Sequence, residues 1–384
     1  MRLLTVIALL CAGPAAALDI SIHYLHVVVP QPPTLSALDP VPADRGLAGA
    51  RLGIADNTTT GRFLNQTYTL THSSVPVDGD IAAAGRSALS DADILVLDAP
   101  RDALLAVADL PEAADALLFN ATAQDMDLRD AACRANVLHT ASSLAMRTDA
   151  LAQFFTLRRW TDLVMIAGGD PRDQAYASAM EGSLAKFGLS LDARKEWRFD
   201  ADMRRNASAE VPLFTQDFGD YDALIVADEL GDYGRYIPYN TWLPRPVAGG
   251  EGLVADAWAP VVEQWGAAQL QSRFTDATGR DMTPEDYAAW AAIRTVGEAV
   301  TRTGADDIPG LRAFILSPEF ELAGFKGRPL TFRDWNGQMR QPMPLVHARA
   351  LVDTAPLDGF LHQTTELDTL GLDRGDSACD RFAP

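Results

Sequence analysis

Short, continuous apolar runs alternate with helix-period segments along most of this chain. DISIHYL from Asp19, TYTLTH from Thr67, DILVLDA from Asp93, ALLFNAT from Ala116 and RANVLHT from Arg134 read as strands. Runs of four or five apolar residues with little alternation suit strands buried on both faces of a parallel sheet. Between them stand helical patterns. Leu47, Ala50, Ile54 and Ala55 share one face of a helix capped at Asp44, and the helix stops where Asn57, three threonines and Gly61 favour a polar turn. IAAAGRSALS and ALLAVADL are the next two helix-compatible segments.

The pattern restarts at Met146. RTDALAQFFTLRRW carries Leu151, Phe154 and Phe155 on one helical face, DLVMIAGGD is a strand entering a Gly-Gly-Asp turn, and AYASAMEGSLAKFG is a helix ended by Gly188. LDARKEW and DALIVADE complete a second β-α-β series, so a second lobe begins near residue 143. Tyr233 to Gly252 is irregular, with Pro238, Pro244 and Pro246. Helical patterns then cover Trp258 to Phe274 and Pro284 to Arg302, the latter aligning Trp290, Ile293, Val296 and Val300. A strand, an Asn336-Gly337 hairpin turn and a final strand PLVHARALV follow. The expected fold is α/β: two Rossmann-like lobes with parallel sheets, joined by three crossovers near 143, 256 and 330. Residues 18–142 with 257–330 form one lobe, and 143–256 with 331–384 form the other lobe and the tail.

The first seventeen residues change the picture of where the chain works. Arg2, an apolar run from Leu3 to Ala12 and Ala15-Ala16-Ala17 have the form of a cleavable signal peptide ending before Leu18, its apolar core too short to span a bilayer. Of three cysteines, Cys133 and Cys379 would remain after export and are expected to form a disulfide. The formal charge of −20 argues against nucleic acid as a partner, whose binding depends on Lys and Arg neutralising phosphates.

Several features together resemble type I periplasmic solute-binding proteins of the branched-chain amino-acid-binding group. They are Gly46 to Ala50 with Ala55-Asp56-Asn57, the order strand, Gly-Gly-Asp, helix and Lys-Phe-Gly in the second lobe, and the closing hairpin. ADNTTTGRFLNQ from Ala55 and the tail GFLHQTTELDTLGLDRGDSACD from Gly359 are similar to a narrower branch, the substrate-binding component of an ABC transporter linked to pyrroloquinoline-quinone-dependent alcohol oxidation. The resemblance implies a small-molecule ligand in an inter-lobe cleft, a membrane permease as partner, a quinoprotein dehydrogenase system as context, and the periplasm as location. Ala121 and Thr122 match the turn at which that family holds a ligand carboxylate. Gln174 departs from it, standing near where amino-acid binders carry a covering Tyr.

Ligands of open α/β sheets collect beyond the carboxyl ends of the strands. That rule adds Tyr24, Asp98 and Ser142 from the first lobe, Asp170, Asp228 and Glu229 from the second, and Trp258 at a crossover where an aromatic could wall the cleft. His23 and His26 would point to opposite faces of a strand, so no metal ligation is assigned to them, and no cofactor is expected. GxSxG, HExxH, GxxxxGK[ST] and a GxGxxG after the first strand are missing, which leaves an enzyme without a nucleophile and base to pair. Acidic strand ends leave one further alternative, an accessory or metal-delivery protein supplying calcium or a lanthanide to a quinoprotein dehydrogenase. It requires at least three converging carboxylates.

Overall fold

The computed structural model describes residues 17–30, 41–198 and 203–382; the signal-peptide segment expected at 1–17 lies outside them save its last residue. The first lobe is built from β1 (Leu18–Val28), α1 (Leu47–Gly61), β2 (Gln66–Pro76), α2 (Ile81–Asp91), β3 (Ile94–Asp98), α3 (Arg101–Ala108), β4 (Leu117–Asn120) and β5 (Val137–His139). Its five strands form one parallel sheet in the order β2-β1-β3-β4-β5. The second lobe runs through α4 (Leu144–Arg158), β6 (Leu163–Ala167), α5 (Pro171–Lys186), β7 (Leu191–Glu196), α6 (Met203–Gln216), β8 (Ala223–Ala227) and β9 (Val247–Gly249). Its four-stranded parallel sheet has the order β7-β6-β8-β9.

After β10 (Val254–Ala255) the chain returns to the first lobe for α7 (Ala267–Thr278), α8 (Pro284–Thr303), α9 (Ile308–Ile315), β11 (Leu322–Ala323), β12 (Pro329–Phe332) and β13 (Met339–Arg340). It then re-enters the second lobe as the hairpin β14 (Met343–His347) and β15 (Ala350–Ala355), which pairs with β10. The expected architecture of two parallel-sheet lobes is therefore present. β12 pairs with β11 and β13, and Phe332 and Met339 sit in the first lobe's core. The third crossover consequently falls at Gln341-Pro342, about ten residues beyond the position read from the sequence.

Four local expectations are corrected. The Asn57-Thr-Thr-Thr-Gly61 stretch is the last turn and a half of α1, not a turn. Tertiary packing overrides its propensity: Asn57 is buried, donates from Nδ2 to Ile293 O at 2.8 Å and lies over Gly297 of α8. Gly46, not Asp44, precedes that helix as its cap, while Asp44 accepts from Arg280 at 3.1 Å. Trp258 to Phe274 is α-helical only from Ala267, because Pro260 and the left-handed Gly266 stand in the preceding segment, which holds only a short 3-10 turn at Gln264–Gly266. PLVHARALV is two strands joined at Ala348-Arg349, a turn unmarked by Gly or Asn.

The first lobe's core centres on α8, where Trp290, Ile293, Val296 and Val300 are buried together as their spacing implied. α1 approaches α8 closely enough that a Cβ at Gly49 would lie 1.8 Å from Asp286 O. Cys133 and Cys379 are joined in a disulfide, tying the C-terminal tail to the first lobe.

Candidate functional site

At the first lobe's strand ends, Asp98 collects three donors. Tyr24 Oη donates to its Oδ2 at 2.8 Å, His26 Nδ1 lies 2.7 Å from the same oxygen, and Thr122 Oγ1 donates to Oδ1 at 2.6 Å. The register that pairs His26 with Asp98 across β1 and β3 makes this possible. Burial pushes the Asp98 carboxyl up, but hydrogen bonds from His26, Thr122 and Tyr24 outweigh it and hold the group below its usual range. The turn after β4 is fixed by Asn120, whose Oδ1 accepts from Thr122 N at 3.2 Å and Ala123 N at 2.8 Å. Ala121 is buried within that turn. Tyr24 and Asp98 therefore serve each other and the turn, leaving Thr122 and His26 as the partly exposed members.

Where the lobes meet, the organising residue is Arg147, in the first turn of α4 and 6% exposed. Its guanidinium donates to Glu229 Oε2 at 2.6 Å and Oε1 at 3.0 Å, to Gln124 Oε1 at 2.9 Å and to Ala255 O at 3.2 Å. One side chain thus joins the strand-end loop of the first lobe, the strand end of β8 and the second crossover. Its Cζ lies 5.2 Å from the Tyr176 ring centroid. Asp256 stands beside this cluster, partly exposed. Desolvation pushes its carboxyl up to about 6 although Arg147 pulls the other way. Its Oδ1 accepts only from Ala257 N, at 2.7 Å. Asp173 is likewise pushed up to about 6 by burial, and accepts Glu229 N–H at 2.7 Å. Ser142 and Tyr176 are 3% and 1% exposed, and their hydroxyls make no hydrogen bond among the described residues.

The remaining residues singled out from the sequence are spread more widely. Asp170 caps α5, accepting from Arg172 N at 2.9 Å and from its Nε at 3.1 Å. Gln174 donates to Gly168 O at 2.5 Å and accepts from Arg194. Asp228 holds the loop after β8, accepting from Asp232 N and Tyr233 N at 3.0 Å and Gly234 N at 2.6 Å. Trp258 is 4% exposed, stacks on Tyr287 at 4.8 Å and donates to Gln271 Oε1 at 3.0 Å, so most of it belongs to the first lobe's core. Of the predicted residues, Glu229 is tied to the lobe junction by its pair with Arg147, while Thr122 is bonded to Asp98 and Asn120 at the first lobe's strand ends.

Sequence reasoning missed Arg147, Tyr176, Asp256 and Lys326. Arg147 carried one available signal, a basic residue four positions after the Ser142-Ser143 crossing. Lys326 is 6% exposed, donates from Nζ to Gln341 Oε1 at 2.5 Å and Pro342 O at 3.3 Å, and lies 4.4 Å from the Tyr287 centroid. Burial pushes its ammonium down to about 7, with Asp256 opposing the shift. Two recesses flank the second crossover. One, with a cavity of about 10 Å³, contains Trp258 and Lys326; the other, with a cavity of about 320 Å³ and open to solvent, runs past Arg235, Tyr239, Glu251, Pro260 and His347.

Two parallel-sheet lobes, three crossovers and polar strand ends at their junction are the type I periplasmic binding protein fold. Solved structures of that fold superpose on nearly the whole chain. A branched-chain amino-acid ABC transporter periplasmic ligand-binding protein from Burkholderia xenovorans is 15% identical, with a TM-score of 0.68 over 87% of this chain and 95% of that one. The leucine-, isoleucine-, valine-, threonine- and alanine-binding protein from Brucella ovis, in a closed conformation, is 13% identical, with a TM-score of 0.66 over 91% and 93%. A solute-binding protein of an ABC transporter from Rhodopseudomonas palustris, in complex with 3,4-dihydroxybenzoic acid, is 11% identical, with a TM-score of 0.59 over 85% and 92%. No protein-family model matches the chain, and no curated protein matches it by sequence.

Proposed function

We propose that this chain is the periplasmic solute-binding component of an ABC-type importer, closing its lobes around a small solute and presenting the closed form to a membrane permease. One observation carries the reading: the loops at the strand ends of the two parallel sheets meet through Gln124, Arg147 and Glu229, beside the Tyr176 ring and the Asp256 carboxylate. Solute contacts shared between two lobes favour the closed state by their differential affinity, which is the basis of hinge closure. Thr122 and Ser142 are the contacts assigned to the first lobe, with Tyr176, Glu229 and Asp256 opposite. Tyr24, Asp98, Asp170, Gln174 and Asp228 then act behind the surface, holding loops and partners.

Neighbours of the same fold are described with leucine, isoleucine or 3,4-dihydroxybenzoic acid, so amino acids and small acids are the first solutes to try. The link to pyrroloquinoline-quinone-dependent alcohol oxidation rests on the Ala55 to Gln66 motif and the C-terminal tail alone, and adds short alcohols, their acids and the quinone. Among the described residues no group of three or more His, Cys, Asp or Glu could hold a metal ion, so metal delivery has no site there to rest on. Thermal unfolding of the mature protein against amino acids, short alcohols and acids, pyrroloquinoline quinone, calcium and a lanthanide tests the reading. A solute at 100 times its dissociation constant adds about 2.7 kcal/mol. A midpoint rise with one organic solute supports solute binding; a rise with metal alone replaces it with metal delivery.

A further inference from the structure

The chain after β15 does not rest on one lobe. Leu357 and Leu370 are buried in the second lobe's core, and the Phe360 ring meets Phe187 of that lobe edge-on at 5.4 Å. Near the other end, Phe382 packs against the first lobe's core and Cys379 is bonded to Cys133. Between these ends the tail crosses the place where the chain first passes between lobes. A Cβ at Gly371 would lie 3.0 Å from Met146 Cγ, 3.1 Å from an Arg333 guanidinium nitrogen and 3.5 Å from Ser143 Oγ. Glycine, at a φ of 83° here, permits that close approach.

The stretch Leu367 to Leu372 is held from both sides. From the first lobe, Arg333 donates to Asp368 Oδ1 at 2.9 Å, to Leu370 O at 2.5 Å and to Leu372 O at 3.2 Å, and Arg340 donates to the same Asp368 oxygen at 2.8 Å. Arg333 and Asp368 are each 1% exposed, so these charge-assisted bonds are shielded from water. From the second lobe, Asp149 Oδ2 on α4 accepts Gly371 N–H at 2.7 Å, and Gln153 Nε2 donates to Thr369 Oγ1 at 2.9 Å. Lys186 Nζ, at the end of α5, donates to Asp149 at 2.7 Å and to Thr369 O and Gly371 O at 2.9 Å each. One peptide group joins the two sets. The carbonyl of Leu370 is bonded to the first lobe's guanidinium and the N–H of Gly371 to the second lobe's carboxylate, and the group between them is planar and stiff.

We propose that the C-terminal tail is a fourth link across the hinge, a strap that limits rotation of one lobe against the other and sets its pivot beside the Leu370-Gly371 peptide. Hinge motion is absorbed by a few residues of the connecting segments, and a strap seated on both lobes removes part of that freedom. The three residues from Asp368 to Gly371 reach at most about 11 Å when fully extended, so the Arg333 and Asp149 anchors stay close in every state in which both hold. The disulfide secures the far end of the tail to the first lobe. Of the two anchors, the second lobe's is the more open to water, with the Lys186 side chain 32% exposed against 1% for Arg333, and it is the one that yields first. The strap does not depend on which solute enters the cleft.

The test reads the inter-lobe distance of the mature protein without solute, by electron double resonance between spin labels at Ser87→Cys on α2 and Ser178→Cys on α5. Asp149→Ala with Lys186→Met removes the charged part of the second lobe's hold and strands neither charge. The expected result is a shift or broadening of the distance distribution by more than about 2 Å, the scale of hinge rearrangements. Lys186→Met alone should change it in the same sense by less, and decides the matter if circular dichroism shows that the double variant does not fold. Asp307→Ala is the control: it removes the cap of α9, lowers the unfolding midpoint without touching the tail, and leaves the distribution native. A native distribution in the folded variants, or a change no larger than that of Asp307→Ala, overturns the proposal. Because solute is absent, a negative solute screen leaves the strap standing, and a native distribution here leaves solute binding standing.

Discussion

Replacing Arg147 by Met is the perturbation most directly tied to the lobe junction. The substitution removes four donated hydrogen bonds at once: two to Glu229 at 2.6 and 3.0 Å, one to Gln124 at 2.9 Å and one to Ala255 O at 3.2 Å. Glu229, whose side chain is 16% exposed, is left as a mostly buried carboxylate without a counter-ion. Breaking such a pair from one side costs about 3–5 kcal/mol, a large share of the roughly 5–15 kcal/mol by which folded proteins are stable. Glu229→Gln in the same chain removes the stranded charge, so the double variant should be more stable than Arg147→Met alone by about 1–3 kcal/mol. Urea unfolding of the mature protein at pH 7, followed by fluorescence and circular dichroism, measures each corner of this cycle. A loss below about 1 kcal/mol for Arg147→Met, or a double variant no better than the single, would refute the assignment of Arg147 as the clamp.

Two further outcomes follow from buried groups. Changing Cys133 and Cys379 to Ser opens a loop of 246 residues, for which the chain-entropy relation gives about 5.5 kcal/mol; a loss under about 1 kcal/mol in urea unfolding would show that the tail is held without the bridge. Lys326 is pushed down to about 7 in the folded chain, against about 10.4 unfolded. Between those values the unfolded state binds more protons, so its contribution makes stability rise with pH from about 7 to about 10. Lys326→Met should flatten that rise, as read from unfolding free energies at pH 7, 8 and 9; an identical slope in both proteins would contradict the buried, depressed ammonium.

Lobe architecture was legible because runs such as ILVLD and LVMIA are apolar enough to be strands buried on both faces and too short to be helices. The restart at Met146 marked the second lobe for the same reason. Local chemistry misled where tertiary contacts prevailed. Asn57 is a turn residue by propensity, yet its amide bonds Ile293 O inside the helix pair. At the junction, strand-end position pointed to Glu229, which pairs with Arg147, but the same rule also gathered Asp170 and Asp228, which satisfy backbone N–H groups. Position along a strand cannot separate a carboxylate that caps a loop from one that faces the cleft. Arg147, Asp256 and Lys326 lie far apart in sequence, and only the crossings of the chain between lobes bring their charges close enough to shift one another.

Solute-driven closure is measured by the distance between the lobes. Spin labels at Ser87→Cys on α2 and Ser178→Cys on α5, both exposed positions on opposite lobes, report it by electron double resonance without disturbing the native disulfide. With the solute that raises the unfolding midpoint most, a binding protein that works by closure gives a distance distribution shifted to shorter values as the solute saturates. An unchanged distribution at saturation would contradict closure around a solute at the lobe junction.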